Sequence, residues 1–517
     1  ILIESKLIMK IKHILLASVL LTGMLTGCNN NFLEEIPRDE LSDASFWKSQ
    51  DDVEKFTTSL YRYTLEPGNF VIMLDGYTDN AVPVHVYNAQ GEISAGTATS
   101  SNSHFQQVWQ TTYQGIRRCN VCLQNIDQVE MDEADKNVYK GEVYFMRGYF
   151  YATLLRLYGG VPLLEKPLEL NEAIPARNTE EEVYDFVIAD LDKAASLLPE
   201  KQAEVGRATK GAALAEKAVI SNFMNKYEDA SRYAKAVMDM NVYSLYPNYG
   251  DLFSPDHENN QEVIFDHQYM ENAKDFDLGS WIDQYFAPQM MGGWEAMSPA
   301  KDLIDLYECK DGKSIGESAL YDENNPFANR DPRLDYTILY DGSEIAGKTY
   351  SSGAALGNST RTGYSIRKYV NPKNDGMNYP GWTNFIYIRY AEILLIYAEA
   401  QNEVSGPDAS VYEAVNDVRA RVDLPPLSDN LTKEQMREAI RKEKRVEFAF
   451  EGVYLYDTRH WKTTEAAVTK PVYGKKVDGE YVWVETRKFD PERDYLWAIP
   501  LNEIDLSKGS LVQNPGW

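Results

Sequence analysis

"EKRVEFAFEGVYLYDTRHW", residues 443–461, sets Glu443, Glu447 and Glu451 four apart, with Arg445 among them and Asp457 and His460 just downstream. On a helix this spacing stacks the three carboxylates along one stripe. Such a stripe is either acid/base machinery or the internal wiring of a helical scaffold. Arg441, Lys444 and Arg445 on the same helix offer charge compensation, whereas an acid/base carboxyl needs burial away from opposite charge to move its pKa. The stretch therefore reads as neutralised scaffold. The competing reading is a glycoside hydrolase using Glu443 or Glu447, but among 79 acidic residues, carboxylate pairs at glycosidase spacing arise by chance anywhere in a fold.

Outward from this stretch the helical period dominates. Apolar residues recur at three and four in residues 142–159, 179–198, 209–224 and 227–240, and again in 384–404, 408–422 and 432–452. Thr179 with Glu182, and Thr432 with Gln435, fit capping boxes. Gly452 is placed to close the last helix. "KYEDASRYAKAV" and "GPDASVYEAVNDV" share Asp-Ala-Ser followed by tyrosine, at Asp229 to Tyr233 and Asp408 to Tyr412, each after an alanine-rich helix. Small contact residues and capping tyrosines mark tetratricopeptide-like hairpins, which bury their faces only by stacking. The expected fold is mostly α, a tetratricopeptide-like helical repeat scaffold (an α/α superhelix) with long irregular loops and minor β hairpins. Residues 66–103 and 241–382 are rich in Gly, Pro, Asn and Tyr, and loops of that length usually carry function. No flexible linker interrupts residues 28–517, which read as a single domain with these loops as excursions.

The first residues read as lying upstream of the start, with Met9 opening an export signal over 9–27: Lys10 and Lys12, the apolar run "ILLASVLL", then "LTGC". The run is far shorter than the ~20 apolar residues that span a bilayer. Leu25, Thr26, Gly27 and Cys28 form a lipobox, so Cys28 is expected to become a lipidated first residue followed by a tether over about 28–45, anchored to a membrane without crossing it. Removing residues 1–27, which carry Lys6, Lys10, Lys12 and Glu4, takes the net charge from −27 to −29. That field repels phosphate backbones, so nucleic acid is not an expected partner.

Three further cysteines are too few to staple a chain of this size. Cys119 and Cys122 form CxxC, but inside an apolar helical stripe rather than at a helix start, which favours buried thiols over redox or zinc chemistry. "GKSIG" (312–316) matches G-x-S-x-G around Ser314 without the strand before and helix after that a nucleophile elbow requires. His257 and His267 lie near Asp256, Glu258 and Asp266, a pattern read as solvated charge rather than a metal site. No phosphate-cradling loop is visible, and no cofactor, metal or catalytic residue is expected.

Several stretches, in order, resemble the SusD/RagB family of outer-membrane lipoproteins. They are "FLEEIPRDELSDASFW" (32–47), "VWQTTYQGIRRCNVCLQNID" (108–127, with Cys119 where alanine is usual), "MRGYFYATLLRLYGGVPLL" (146–164), "GRATKGAALA" (206–215) and "IRYAEILLIYAEAQNE" (388–403). The quoted helix with its Asp457-x-Arg459-x-Trp461 turn follows, and "LWAIPLNEIDLSKGSLVQNPGW" (496–517) closes the chain. The resemblance implies a non-enzymatic lipoprotein facing the cell exterior, which captures glycans as the lid of a SusC-like TonB-dependent transporter. Oligopeptide capture by the same architecture is the alternative.

The family's binding loops vary, so ligand residues must come from chemistry. Sugar rings stack on Trp and Tyr while polar side chains hydrogen-bond hydroxyls. The loop 70–87 offers Asp79, Asn80, His85 and Tyr87. The loop 269–297 offers Trp281, Tyr285 and Trp294, with Gly292 and Gly293 freeing the last ring. The loop 375–384 offers Tyr379 and Trp382.

Overall fold

The computed structural model describes residues 46–85, 88–169, 172–276, 278–353, 360–377 and 380–517; the signal 9–27, Cys28, the tether 28–45, Tyr87 and Tyr379 lie outside the described residues. The long helices are α1 (Gln50–Leu60), α2 (Ser103–Asn125), α3 (Glu133–Tyr158), α4 (Glu180–Leu197), α5 (Lys210–Phe223), α6 (Tyr227–Asp239), α7 (Tyr390–Ser405), α8 (Ala409–Ala420) and α9 (Lys433–Glu447). From α2 to α6 each helix packs on the next, α6 then packs on α7, and α8 and α9 pack on α7. The fold is thus mostly helical, and the excursion over 241–382 leaves the stack between two helices that touch.

Local chemistry sets the helix ends. Thr179 Oγ1 accepts from Glu182 N–H while Glu182 returns the bond to Thr179 N–H, and Thr432 and Gln435 do the same for α9. Each box satisfies two of the backbone donors that a helix start leaves open. From Gly141 onward α3 is buried on nearly every side, because α2 and α4 flank it. A β-carbon on Gly115 of α2 would lie 2.5 Å from the Phe150 ring, so only glycine admits that approach. Arg147 of α3 forks onto Asp190 of α4 at 2.6 and 2.9 Å and reaches Asn120 of α2 at 2.7 Å. This polar clamp fixes the register of three helices that apolar contacts alone would let slide. One continuous apolar core runs from Trp47 to Leu511.

The terminal motif acts as a clasp. Asn514 donates to the carbonyls of Tyr158 (2.9 Å) and Trp497 (2.7 Å), and Gln513 both accepts from and donates to the Ile499 backbone.

Four sequence expectations need correction. Residues 385–389, read as helix, form a strand paired antiparallel with Val263–His267. Its Phe-Ile-Tyr-Ile-Arg run is β-branched and aromatic, and α7 begins only at Tyr390. The helix expected to run to Gly452 stops at Glu447, with Gly452 at φ +76° closing the turn that follows. The two Asp-Ala-Ser segments are not equivalent, since Asp408 caps α8 whereas Asp229 lies inside the first turn of α6. His267 is not a solvated charge: its ring stacks on Tyr269 at 4.6 Å and shares a 2.9 Å hydrogen bond with Thr64 Oγ1. Cys119 and Cys122 are buried and free in α2, and burial drives both thiols up, Cys122 to about 12. Ser314 sits in a turn and donates to Glu317 at 2.7 Å.

Inside the stack a cavity gathers Arg156, Glu216, Glu392, Lys444, Asp457 and His460 among apolar side chains that include Val71, Leu74 and Ile396. Burial pushes Glu392 up to about 8 and Glu216 up to about 7, with Lys444 and Arg156 respectively offsetting part of the effect. A carboxyl whose pKa rises on folding contributes stability that is complete below its unfolded value and is lost as pH climbs through its folded value. Glu392→Gln, which cannot ionise, is therefore expected to gain on the wild type by a few kcal/mol, to order of magnitude, between about pH 4.5 and pH 8. Thermal melts of both proteins across that range give the measurement. Parallel pH profiles would remove burial as the cause.

Candidate functional site

Glu443, Glu447 and Glu451 are buried, and Glu447 has no exposed surface. Their partners come from far away in sequence. Arg333 reaches Glu443 (2.6 Å) and Glu447 (2.9 Å), Arg419 reaches Glu443 (2.9 Å), and Arg421 pairs with Glu447. Arg389 joins Glu447 (2.6 Å), Glu451 (2.7 Å) and Glu262 (2.8 Å), while Lys368 reaches Glu451 at 2.9 Å. Burial alone would raise the Glu447 carboxyl, but Arg421, Arg389 and Arg333 outweigh it and hold it well below the usual range. It stays ionised and has no proton to give. The carboxylates are scaffold, as expected, but the neutralising charges are not those of their own helix.

Glu399, Asp457 and His460 come close enough together to ligate one ion. The Lys444 ammonium already lies 2.9 Å from Glu399 and 2.5 Å from Asp457, filling the place a cation would take.

The loop residues meet on another face. A short strand, β1 (Ala81–Pro83), pairs antiparallel with Met297–Pro299, joining the first loop to the end of the second. The short helix Ile282–Phe286 lies against Pro67–Val71, where Gly68 approaches the Trp281 backbone so closely that a β-carbon would sit 3.0 Å away. Ser280 and Gly381 exchange backbone hydrogen bonds of 2.6 and 2.9 Å, which bring the third loop and Trp382 alongside the second. Asp283 completes the assembly by accepting from Asn371 N–H (2.8 Å) and Asn374 Nδ2 (2.9 Å). Burial pushes its carboxyl up to about 6 against those hydrogen bonds.

These joints build a pocket of about 460 Å³ lined by Met73, Pro83, His85, Asn88, Gln90, Tyr285, Gln289, Gly293, Trp294 and Ala296. Trp294 is 45% exposed. Its position follows from its neighbours: Gly292 has φ +95°, and a β-carbon on Gly293 would meet the Ala287 carbonyl at 2.2 Å. The chain then folds back over the short helix, with Trp294 N–H on Gln284 O (2.8 Å) and Ala296 N–H on Tyr285 O (2.7 Å). Trp294 packs edge-on to Tyr285 with ring centres 5.1 Å apart and lies 6.2 Å from Trp281. Phe276 stacks on Trp281 at 3.5 Å.

Of the loop residues singled out in the sequence, His85, Tyr285 and Trp294 share this pocket, Trp281 stands behind Trp294, and Trp382 is half-buried at the adjoining bridge. Asp79 and Asn80 point elsewhere. They are 6% and 0% exposed and are committed to Arg445, whose Nη2 lies 3.1 Å from Asp79 Oδ2 and whose Nε donates to Asn80 Oδ1 at 2.7 Å. Their carboxylate and amide hold the first loop onto α9 and are not available to a ligand. Asn88, Gln90 and Gln289 were not anticipated. Asn88 caps the short helix Ala89–Ala95, and Gln90 donates to Asn69 Oδ1 at 2.6 Å. The Asn-x-x-Gly start of that short helix marks Asn88 and Gln90, and no local signal marks Gln289.

The arrangement defines a class: a rigid helical stack that presents an open, aromatic-walled, amide-lined pocket on interlocked loops. Comparisons with known proteins give the same answer. A family model described as "SusD family" matches residues 261–517, and one described as "Starch-binding associating with outer membrane" matches residues 31–221. A SusD-like protein of Bacteroides fragilis is 31% identical, with 93% of this chain and 100% of that one covered and a TM-score of 0.83. A SusD-like carbohydrate-binding protein of the same species is 29% identical over 89% of this chain and 99% of its own, also at 0.83. A SusD-like protein of Formosa agariphila is 25% identical over 96% of this chain and 98% of its own. The chain belongs to the SusD/RagB family.

Among the described residues, no helix is long and apolar enough to cross a membrane.

Proposed function

We propose that the protein is a non-enzymatic, lipid-anchored binding protein of the outer membrane that captures oligosaccharide or polysaccharide fragments and delivers them to a SusC-like TonB-dependent transporter. The observation that carries the reading is the pocket at Trp294, where the exposed indole of Trp294 and the half-buried phenol of Tyr285 stand beside the amides of Asn88 and Gln289. Rings supply flat apolar faces for sugar C–H groups, and amides supply paired donors and acceptors for hydroxyls. The carbohydrate-binding relative and the starch-binding, outer-membrane description of the matched model support the same reading. Cys28 is the proposed lipid attachment point, and Tyr87, Trp281, Tyr379 and Trp382 are proposed to extend the ligand surface.

Affinity electrophoresis of the soluble domain through gels containing starch, laminarin, xylan, mannan or pectin tests the proposal. Retardation by at least one polysaccharide is expected. Free migration in all of them, with tight binding of oligopeptides in calorimetry, would replace glycan capture by peptide capture.

A further inference from the structure

One exposed element is not absorbed by the scaffold or the pocket. Strands Pro471–Val477 and Glu480–Thr486 form an antiparallel hairpin, turned by Asp478 and Gly479 at φ +52° and +89°. Positive φ at both central residues is the requirement of the type I′ turn that suits a two-residue hairpin. One side of the hairpin is glued down, with Val472 and Val484 packing against Val82 and Ala300. The other side shows rings to solvent: Trp483 is 59% exposed, Tyr481 42% and Tyr473 36%. Trp483 lies directly across from Tyr473 in the strand register.

The hairpin is stitched to the pocket wall at three points. Arg361 donates to the carbonyl of Pro83 at 3.0 Å and pairs with Glu485 at 2.5 Å. Arg487 donates to the carbonyls of Thr78 (2.7 Å) and Ala81 (2.6 Å). Lys488 N–H meets the carbonyl of Ala95, at the end of the short helix that carries Gln90. Pro83 and Gln90 both line the pocket. Trp483 is two residues from Glu485, about 7 Å along a strand, so its ring is held in a fixed relation to the pocket rim.

The three rings are not equally available. Tyr481 is flanked by the Lys301 and Lys476 ammonium groups at 4.4 and 5.0 Å. Among the described residues, no ring or cation packs on Trp483 or Tyr473.

We propose that Trp483 and Tyr473 form an outer stacking platform that takes the sugar units of a long glycan beyond those seated at Trp294. The inference rests on the glycan reading of the pocket and names what that reading leaves open, namely that the preferred ligand is a chain long enough to span both. A polysaccharide fits this surface better than a protein does. Lys475, Lys476, Glu480 and Glu485 interrupt the rings along both strands, leaving isolated flat faces for sugar rings and no contiguous apolar patch. A protein interface would instead need a contiguous, well-packed apolar centre.

The test uses isothermal calorimetry on the wild type, Trp483→Ala, Tyr473→Ala and Trp294→Ala. The probes are the polysaccharide that retards the wild type and its own oligosaccharides of increasing length. Trp483→Ala is expected to match the wild type on the shortest fragment that binds and to lose about tenfold on the polysaccharide. Trp294→Ala is expected to lose affinity at every length. If Trp483→Ala equals the wild type at all lengths while Trp294→Ala is impaired, the platform is overturned and the pocket stands. An equal loss at all lengths overturns the outer position. If no polysaccharide retards the wild type, the glycan reading fails first, and the platform with it.

Discussion

Glu447→Gln is expected to lower the unfolding temperature by about 3–5 °C while leaving ligand affinity of the folded protein unchanged. Three guanidinium groups, Arg333, Arg389 and Arg421, converge on this one carboxylate, and all are buried with it. Removing one partner of a buried ion pair typically costs ~3–5 kcal/mol, because the charge left behind keeps its desolvation penalty and loses its compensation. For a chain of this size, unfolding as one unit, each kcal/mol moves the melting temperature by roughly 1 °C. Glu443, Glu451 and Glu262 share the same arginines and limit the loss. The contrast with catalysis is direct. An acid/base carboxyl would lose turnover on amidation and keep its fold, whereas this one is expected to lose stability and keep binding. Calorimetric melts beside titrations with a retained glycan decide it, and a variant that melts like the wild type would show that the network is dispensable.

Trp294→Ala is expected to weaken glycan binding about 10- to 100-fold with little change in melting temperature. The indole is 45% exposed, so its removal opens no cavity in the core. A central aromatic anchor in a binding site carries about 1.4–2.7 kcal/mol, which corresponds to that range. Trp294→Phe retains a flat face and is expected to recover part of the loss. Gel retardation and titration calorimetry give the readout. Unchanged retardation of Trp294→Ala in the gel that retards the wild type would move the ligand away from this pocket.

The helices were legible because their signals are local. The two capping boxes depend on residues three apart, and the amphipathic stripes repeat every turn. Residues 385–389 failed for a tertiary reason: an aromatic and β-branched run became a strand because Val263–His267 was there to pair with it. The ligand residues were legible only by kind. His85, Tyr285 and Trp294 were chosen as ring-bearing or polar loop residues, and so were Asp79 and Asn80, which the fold spends on Arg445, some 365 residues away.

The sequence by itself determined a helical, repeat-like scaffold, a neutralised role for the 443–461 carboxylates and a glycine-freed ring at Trp294. The scaffold and the freed ring follow from periodicity and backbone freedom, which act over a few residues, whereas the neutralised role was read from Arg441, Lys444 and Arg445 and holds through other cations. Which arginines neutralise Glu447, which loop residues face the pocket, and that a hairpin near the C-terminus stands beside strand β1 were decided only by tertiary structure. Each of these joins groups far apart in the chain, and burial and ion pairing depend on what is adjacent in space rather than in sequence.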